Sequence, residues 1–484
     1  MDRQIRRLGL FMLACFALLF LQLNNIQVLQ ASSLANAQGN PRAYLKRVAA
    51  PRGTIQTADG VVVAQSVPSH DSLKYLRVYP HGPLYSTVTG YDSLIYGTSG
   101  VEQTYNKYLQ PHTAPLQSIS DLLAPRTTTD SLTLTISSTL QSVAASALGN
   151  RHGAVVALDP STGAILAMYS SPSFDPNLLA SHNNTTEVNA WKSYIANPSQ
   201  PLLPRAYRQI YPPGSTFKIV TSSAAFDRAP NLATKIFPTL TALPLPQTTH
   251  KLHNYANELC GGSLAQAFKV SCDSTYGQLG LDLGAQKLYT EAQSFGFDQV
   301  PPIDLPLAAP SSFPKPATFT NQLPALAFSA IGQQNVAASA LQMAEVTGAI
   351  ANGGKMMTPH VMAQIHDAQG NLIKSYQPSV WKQATSQATA GAVSKFMQGV
   401  TQPGGTASNV ALPGVTVAAK TGTAQIGLHN GYTDDWLVAF APAQNPSIAV
   451  AVVVTNQPPP STGSSQAGPV ARAVLQAALS MKRG

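Results

Sequence analysis

Charged side chains are scarce in this sequence. Asp, Glu, Lys and Arg make up 11% of its 484 residues, well below the roughly 25% that is typical of soluble globular proteins. The net charge of +9 is spread thinly, with no long basic block and no basic helix that carries interleaved aromatic side chains. This pattern argues against a nucleic-acid partner, whereas a mild positive field is compatible with an anionic membrane surface or a cell-wall polymer.

Cysteine is also rare, and no metal-binding pattern is present. Three cysteines cannot build a disulfide framework, and Cys15 lies in the hydrophobic N-terminal segment. Cys260 and Cys272 can pair in an oxidising compartment, but the sequence leaves open whether they do. His250 and His253 lack the spacing of metal ligands and are interpreted as solvated loop histidines. We therefore expect no metal site.

Long hydrophobic runs are absent except at the N-terminus. Three arginines within the first seven residues precede an uninterrupted apolar run over residues 8–21. Basic residues on the leading side keep that side in the cytoplasm. Residues 1–30 are therefore predicted to be a single-pass signal anchor in the cell membrane, with the rest of the chain outside. The alternative is a cleaved signal peptide, because the run is short for a span and Ala35-Asn36-Ala37 resembles a cleavage site.

Residues 31–150 are predicted to form a separate, β-rich pedestal. They mix short strand-like runs with turns, and "RGTIQTADGVVVAQS" breaks at Asp59-Gly60 as a hairpin does. Within 133–148, a strand pattern leads into an Ala-rich helix. Nothing in this region places a nucleophile beside a base, so we do not expect the chemistry here.

Residues 151–484 are predicted to form an α+β domain. The segment opens with the hairpin pattern "GAVVALDPSTGAILAMYS" and approaches its end with the buried-strand pattern "PSIAVAVVVTN". A Pro/Gly/Ser loop is expected at 458–469, followed by a C-terminal amphipathic helix. Because strands lie at both ends and helical patterns lie between them, we expect one central sheet that gathers the two ends.

The stretch "YPPGSTFKIV" at 211–220 carries the first candidate catalytic residues. Two prolines suit the start of a new helix, and Ser215 and Lys218 then lie on one face, close enough to hydrogen-bond. A lysine that is desolvated among apolar neighbours has a lowered pKa and can take the proton of a serine hydroxyl. The pattern indicates an activated serine, although this spacing alone is more often an N-cap serine followed by an ordinary lysine.

A second candidate element is "AAKTGTAQ" at 418–425, which follows a strand-like run. Lys420, Thr421 and Thr423 supply an ammonium and two hydroxyl donors that together suit a carboxylate. Gly422 has no side chain and lets another backbone come close.

A third element, "KVSCDS" at 269–274, offers Ser271 with the polar Asp273 two positions later. Taken in chain order, the three elements read Ser-x-x-Lys, Ser-x-polar and Lys-Thr-Gly. These are the parts of a penicillin-recognising serine acyl-transfer site.

At these residues the chain resembles the penicillin-binding proteins, specifically the monofunctional class B transpeptidases, and the actinobacterial cell-division type most. The resemblance covers nearly all of residues 40–456 and includes "LLPRAYRQIYPPGSTFKIVT", "ALQMAEVTGAIANGGKMMTPHV" and "KTGTAQ…DDWLVAFAP". It implies a penicillin-binding/β-lactamase-like domain with a central antiparallel sheet flanked by helices. It also implies a smaller pedestal of the dimerisation type and one transmembrane helix.

The resemblance implies D,D-transpeptidase activity on peptidoglycan stem peptides, with β-lactams as inhibitors. Ser215 would attack the carbonyl of the penultimate D-alanine, Lys218 would accept its proton, and Ser271 would relay a proton to the leaving amine. The backbone N–H groups of Ser215 and Thr423 would form the oxyanion hole. A membrane-embedded glycan polymerase is the implied partner, and the resemblance implies that neither a cofactor nor a metal is needed. The terminal carboxylate of the substrate would be held by Lys420, Thr421 and Thr423.

Asp273 departs from the family pattern, which usually has Asn at this position. A carboxylate here either raises the pKa of Lys218, which opposes its use as a base, or pairs mainly with Lys420 and leaves Lys218 neutral. Both arrangements are open from the sequence. The alternative functions are a catalytically weakened scaffold of the cell-wall machinery, a serine β-lactamase, and a D,D-carboxypeptidase that uses water as the acceptor.

Overall fold

The N-terminus of the chain is one long apolar helix. The structure is a computed structural model that describes residues 2–30, 50–71, 73–113, 127–427 and 431–481. Helix α1, Asp2–Asn24, continues into a π-helical turn at Asn25–Leu29, and its apolar side chains are exposed. The stretch Arg3–Leu29 is long and apolar enough to cross a bilayer. The cleavage site at residues 35–37, which belongs to the alternative interpretation as a signal peptide, lies outside the described residues.

The other regular elements of the described residues are numbered in chain order. The strands are β1 Ile55–Gln56, β2 Val62–Pro68, β3 Tyr75–Val78, β4 Asp92–Ser93, β5 Gly97–Thr98, β6 His112–Thr113, β7 Thr127–Thr128, β8 Ser131–Leu134, β9 Gly153–Leu158, β10 Ile165–Ser171, β11 Phe237–Leu240, β12 Ala242–Pro244, β13 Lys251–His253, β14 Cys260–Gly262, β15 Lys355–Met357, β16 Met362–His366, β17 Leu372–Ser375, β18 Val380–Gln383, β19 Ala418–Gln425, β20 Thr433–Ala441 and β21 Ile448–Gln457. The helices are α2 Ser86–Thr89, α3 Gly100–Thr104, α4 Asn106–Leu109, α5 Ser138–Leu148, α6 Asn184–Ala196, α7 Arg205–Arg208, α8 Lys218–Arg228, α9 Pro230–Ala233, α10 Leu264–Lys269, α11 Asp273–Leu283, α12 Ala285–Ser294, α13 Leu323–Ser329, α14 Ala340–Ala351, α15 Gln387–Val400 and α16 Gly463–Met481.

The first sheet has six strands in the order β17-β16-β8-β1-β2-β3. Strands β1 and β2 form the predicted antiparallel hairpin around Asp59-Gly60, and β1 runs parallel to β8. Strands β16 and β17 come from residues 362–375, so a later segment of the chain completes the sheet of the predicted pedestal. Pairing with β16 covers the edge that β8 would otherwise leave without hydrogen-bond partners.

The second sheet has five antiparallel strands in the order β10-β9-β21-β20-β19. Strand β21 pairs with β9, for example with Val452 opposite Val155, which confirms the predicted sheet that gathers both ends of the domain. Helices α5 and α16 pack together against this sheet, and α14 packs against β9 and β21. Every residue of β9 and β20 is buried, as expected of strands that are covered on both faces.

Helix α16 begins at Gly463, inside the segment expected to be a loop at 458–469. A reciprocal cap explains the earlier start. The Thr462 hydroxyl accepts a hydrogen bond from the Ser465 N–H at 3.2 Å, and the Ser465 hydroxyl accepts one from the Thr462 N–H at 3.1 Å. Two backbone donors of the first turn are satisfied in this way. The longer helix brings Gly463 against the edge strand β19.

A buried ionic cluster holds the pedestal together. The Glu102 carboxylate accepts hydrogen bonds from Arg52 Nε at 2.5 Å, from Arg77 Nε at 2.7 Å and from the Tyr79 hydroxyl at 3.2 Å. Burial alone would raise the pKa of the Glu102 carboxyl, but the two guanidinium groups hold it below its ordinary value. The ionised carboxylate therefore ties helix α3 to strand β3 and to the residues before β1.

We expect Glu102→Gln to lower the free energy of unfolding by about 3–5 kcal/mol, because two buried guanidinium groups then lose the carboxylate between them, and Arg52 retains only the longer contact with Asp92 at 3.8 Å among the described residues. Denaturant unfolding followed by tyrosine fluorescence measures the change. The exposed Glu258 supplies the control, since a surface substitution such as Glu258→Gln changes stability by less than about 0.5 kcal/mol. Equal stability of the two variants would contradict this account of the pedestal.

Candidate active site

Ser215 lies in a tight turn that precedes a buried helix. Residues Gly214–Phe217, which we call the serine turn, are 3₁₀-helical, and helix α8 begins at Lys218 rather than at Ser215 as predicted. Phe217 anchors the turn by packing edge-on against Phe297, with ring centroids 5.3 Å apart. Ser215 is therefore half-buried at the lip of the site, whereas Lys218 is fully buried.

The Lys218 ammonium faces three acceptors. Its Nζ is 2.7 Å from Asp273 Oδ1, 2.8 Å from the Ser271 carbonyl oxygen and 3.2 Å from Ser271 Oγ. Among the described residues, the Ser215 hydroxyl makes no hydrogen bond, so the expected bond between Ser215 and Lys218 is not formed in this structure. The physical reason is that charge-assisted bonds to a carboxylate are stronger than a bond to a neutral hydroxyl.

Lys420, on strand β19, contacts the same serine. Its Nζ is 2.8 Å from Ser271 Oγ and 2.9 Å from the Thr421 carbonyl oxygen, and the Phe268 ring centroid lies 5.5 Å away. In the part of the chain that the structure describes, no carboxylate forms an ion pair with Lys420. The Ser271 hydroxyl therefore bridges the two lysines, and Asp273 pairs with Lys218.

Burial and neighbouring charges shift the pKa values of the two lysines by different amounts. It lowers the pKa of the Lys218 ammonium, and the charge and hydrogen bond of Asp273 offset part of that shift. It also lowers the pKa of Lys420, and repulsion from Lys218 adds to the effect, so that this pKa lies well below its ordinary value in spite of attraction to Asp273. Two adjacent buried amines thus share one carboxylate, and Lys420 is the one that loses its proton more readily.

Ser271 occupies a backbone conformation that is uncommon for a residue with a side chain. Its φ is +61°, in the left-handed region, where it joins helix α10 to helix α11. The next residue, Cys272, forms a disulfide with Cys260 on strand β14. The pairing that the sequence left open is therefore present, and it ties the residue between Ser271 and Asp273 to a neighbouring strand.

Asn254 provides a second tether for the same segment. Its buried side chain accepts a hydrogen bond from the Ser274 N–H at 2.7 Å and donates to the carbonyl oxygens of Leu240 at 2.7 Å and Glu258 at 2.9 Å. One amide group thus joins the start of helix α11 to the end of strand β11 and to the loop before strand β14. The position of Asp273 is held from both of its sides in the chain.

Strand β19 passes so close to the serine turn that only glycine fits at position 422. A Cβ atom there would lie 2.7 Å from the Pro213 carbonyl oxygen and 3.1 Å from the Trp436 Cβ. Across the strand, a Cβ at Gly463 would lie 2.3 Å from the Gly422 carbonyl oxygen. The Trp436 indole also donates to the Pro212 carbonyl oxygen at 2.9 Å. The strand is thus clamped between the serine turn and helix α16.

Thr421 and Thr423 lie on this edge strand beside the lysine. Thr421 Oγ1 is 2.7 Å from Thr406 Oγ1, and Thr423 Oγ1 accepts a hydrogen bond from the Gly463 N–H at 3.1 Å. Because β19 is the last strand of its sheet, its outer edge can pair with an extended peptide. All eight predicted site residues thus belong to the serine turn, the start of α8, the 271–273 segment or β19.

Comparison with known proteins agrees with this geometry. Residues 153–476 match the penicillin binding protein transpeptidase domain, and residues 52–130 match the penicillin binding protein A dimerisation domain. The chain belongs to the penicillin-binding protein transpeptidases. The family resemblance inferred from the three motifs is confirmed.

Mycobacterial members of the family align with the chain along its whole length. It is 37% identical over 499 positions to the peptidoglycan D,D-transpeptidase PbpA of Mycobacterium tuberculosis, and the alignment covers 99% of each chain. It is 36% identical over 495 positions to PbpA of Mycolicibacterium smegmatis, again with 99% of each chain covered. The structure of penicillin-binding protein A from M. tuberculosis in a ceftriaxone acyl-enzyme complex matches with a TM-score of 0.82 and 36% identity, over 90% of this chain and 100% of that chain. The predicted class B type and its actinobacterial affinity are confirmed.

Three residues that support the site were missed by the sequence analysis. Trp436 enters the sequence analysis only as part of the stretch "DDWLVAFAP", although the N–H of a buried indole usually needs an acceptor. Asn254 and Thr406 carry no motif, and each meets the site through contacts with residues distant in the sequence. No local signal in the sequence identifies them.

We expect Gly422→Ala in this penicillin-binding transpeptidase to slow covalent labelling by a fluorescent penicillin by about 100-fold. The new methyl group collides with the backbone of Pro213 and displaces β19 from the serine turn, and a shift of about 1 Å in an active site costs that much.

The matched control for this substitution is Gly391→Ala. Gly391 lies on the exposed side of helix α15, and a Cβ there meets no atom within 4 Å. This variant should label at the normal rate and gain about 0.5–1 kcal/mol of stability from the better helix former. If Gly422→Ala labelled as fast as Gly391→Ala, the clamp on β19 would have no catalytic importance.

Proposed function

We propose that this transpeptidase crosslinks peptidoglycan stem peptides through an acyl-enzyme on Ser215. The observation that carries the proposal is the Ser271 hydroxyl held between Lys218 and Lys420 beside the serine turn. This arrangement supplies a buried path along which a proton leaves the nucleophile and returns to the leaving group. Family membership and the acyl-enzyme complex of the mycobacterial relative support the same reaction class.

The reaction has two acyl-transfer steps. Ser215 Oγ attacks the carbonyl carbon of the penultimate D-alanine, the C–N bond to the terminal D-alanine breaks, and that nitrogen leaves as an amine after it gains a proton. The amine of a second stem peptide then attacks the ester, loses a proton, and releases Ser215. β-Lactams acylate the same serine and block the second step.

Substrate orientation is assigned to strand β19. The C-terminal carboxylate would be held by the hydroxyls of Thr421 and Thr423 and by the positive field of the lysines. The backbone N–H groups of Ser215 and Thr423 are proposed to stabilise the oxyanion, where each donor is worth about 3 kcal/mol in acyl-transfer enzymes. The outer edge of β19, the last strand of its sheet, is where an extended peptide tail would reach these groups.

The location of the enzyme is also proposed from its N-terminal helix. Helix α1 is assigned as a membrane anchor with its arginine-rich start in the cytoplasm, which places the catalytic domain outside the membrane. The disulfide between Cys260 and Cys272 suits an oxidising extracytoplasmic compartment. A membrane-embedded glycan polymerase would supply the strands that the transpeptidase joins.

We expect Ser215→Ala to abolish covalent labelling by benzylpenicillin, because no other hydroxyl occupies the serine turn in the position of a nucleophile. Intact-protein mass spectrometry followed by peptide mapping locates the adduct. Ser146, an exposed serine of helix α5, supplies the control Ser146→Ala, which should label fully. An adduct that persists at the same stoichiometry in Ser215→Ala would remove the nucleophile assignment.

Transpeptidation is distinguished from hydrolysis by its product. With a stem-peptide donor and an added D-amino acid, we expect mass spectrometry to show exchange of the terminal D-alanine for the added amino acid. A product that has only lost D-alanine would identify a carboxypeptidase, and acyl-penicillin turnover within seconds would identify a β-lactamase. Complementation of a deletion strain by Ser215→Ala would identify a scaffold.

A further inference from the structure

The contacts around Ser271 impose an order on the protons of the site. A charged lysine has three N–H donors, and Lys218 Nζ has three acceptors within 3.2 Å, one of them a carboxylate. No lone pair on Lys218 is then available to take a proton from Ser215. Lys420 has a hydroxyl and a carbonyl as its polar contacts and no carboxylate partner among the described residues.

The Ser271 hydroxyl has a single proton to donate. Because its oxygen accepts an N–H from Lys218, the proton of the hydroxyl is free to point toward Lys420, 2.8 Å away. The arrangement that satisfies every group is a charged Lys218, a Ser271 hydroxyl that donates onward, and a neutral Lys420 amine that accepts. If the Lys420 amine were protonated, two positive charges would lie against one hydroxyl oxygen in a buried site, with one carboxylate to balance them.

We propose that Lys420 is the net proton acceptor during acylation of Ser215, and that Lys218, kept charged by Asp273, passes the proton onward through Ser271. The proposal deepens the acyl-transfer function assigned above and rests on it. It gives the lysine of the Lys-Thr-Gly segment a role as base, in place of the role for Lys218 that the family resemblance implies.

The proton transfer balances at each atom. Lys218 Nζ first gives a proton to Ser271 Oγ while the Ser271 proton moves to the Lys420 amine, and the lone pair that this leaves on Lys218 Nζ then takes the Ser215 O–H proton. Ser215 Oγ forms the new C–O bond, and the carbonyl oxygen takes up the negative charge. When the C–N bond breaks, its electron pair stays on nitrogen, which takes a proton from Ser271, and Lys420 returns its proton to Ser271.

The charged and titratable groups that face these amines are few. Lys420 faces Lys218 and Asp273, and the Phe268 ring centroid lies 5.5 Å from its Nζ. Lys218 also faces the Tyr276 ring at 5.2 Å, and burial raises the pKa of that phenol, so it stays neutral. The low pKa of Lys420, caused by burial and by repulsion from Lys218, agrees with a neutral amine.

A double-mutant cycle between Lys420→Arg and Asp273→Asn tests the proposal, with the acylation rate of a fluorescent penicillin measured from acid to alkaline pH. Arginine keeps the positive charge but cannot lose its proton. We expect Lys420→Arg to slow acylation by at least about 100-fold, within the range contributed by a general base. The rise of the wild-type rate with pH, which reports deprotonation of Lys420, should disappear in this variant.

The second substitution gives the result specific to this mechanism. In Asp273→Asn, Lys218 loses its counter-charge and its pKa falls, so it becomes available as a base. We therefore expect Lys420→Arg to cost about tenfold or less in the Asp273→Asn background, with a new rise of rate with pH. A loss of equal size in both backgrounds would overturn the proposal, because it would show that Lys420 acts only as a fixed cation.

Two further measurements keep the test decisive if arginine disturbs packing. Lys235→Arg, which alters a lysine paired with Asp282 at 2.6 Å outside the site, controls for the substitution itself and should label normally. In full-length protein with ¹⁵N-labelled lysine, the Nζ resonance that Lys420→Arg removes should be a neutral amine near pH 7.5, and that removed by Lys218→Arg an ammonium. The reverse assignment overturns the proposal, while an adduct on Ser215 in the wild type still supports acyl transfer.

Discussion

The active site depends on one carboxylate that serves two buried amines. Two ammonium groups in contact with the same hydroxyl in a dry site would repel strongly, and each would also lose its hydration. Asp273 compensates one of these charges through a direct contact with Lys218. The remaining amine is pushed toward its neutral form, and this imbalance creates a base without any further titratable group. The acid–base roles of the two lysines thus follow from the number of uncompensated positive charges that the buried site tolerates.

The fold keeps this small site dry and tightly positioned. The two lysines come from elements distant in the sequence, helix α8 and strand β19, and both are fully buried. Glycines at 422 and 463 let the strand, the serine turn and helix α16 approach within backbone contact. The disulfide and Asn254 hold the third element. These contacts fix the three elements against one another and hold the bridging hydroxyl between the two amines.

The sequence predicted the structure best where residue types suited to one reaction also occur at the spacing that this reaction requires. The three motifs predicted which residues meet, and the strand patterns at 153–170 and 446–456 predicted the sheet that brings them together. What could not be predicted depends on long-range geometry. Contacts between distant parts of the chain, which no local pattern encodes, determine three features. These are the pairing of Asp273 with Lys218 rather than with Lys420, the tether through Asn254, and the completion of the first sheet by residues 362–375. The early start of α16 had a local signal in the Thr462–Ser465 cap, which the surrounding Pro and Gly residues obscured.

The presence of Asp273 in place of the usual asparagine also determines the net charge that the site carries during the reaction. With Lys218 charged, Asp273 ionised and Lys420 neutral, the three side chains sum to zero before attack. After attack, the new charge on Lys420 balances the negative oxyanion, so the site stays neutral at both stages. A buried site that keeps its net charge constant avoids the large cost of desolvating an unbalanced ion. In a site with asparagine, no carboxylate offsets the effect of burial, so the neutral forms of both amines are favoured. By its pairing with Lys218, the carboxylate of Asp273 therefore decides which of the two amines is charged, and in the mechanism proposed above it leaves Lys420 as the proton acceptor.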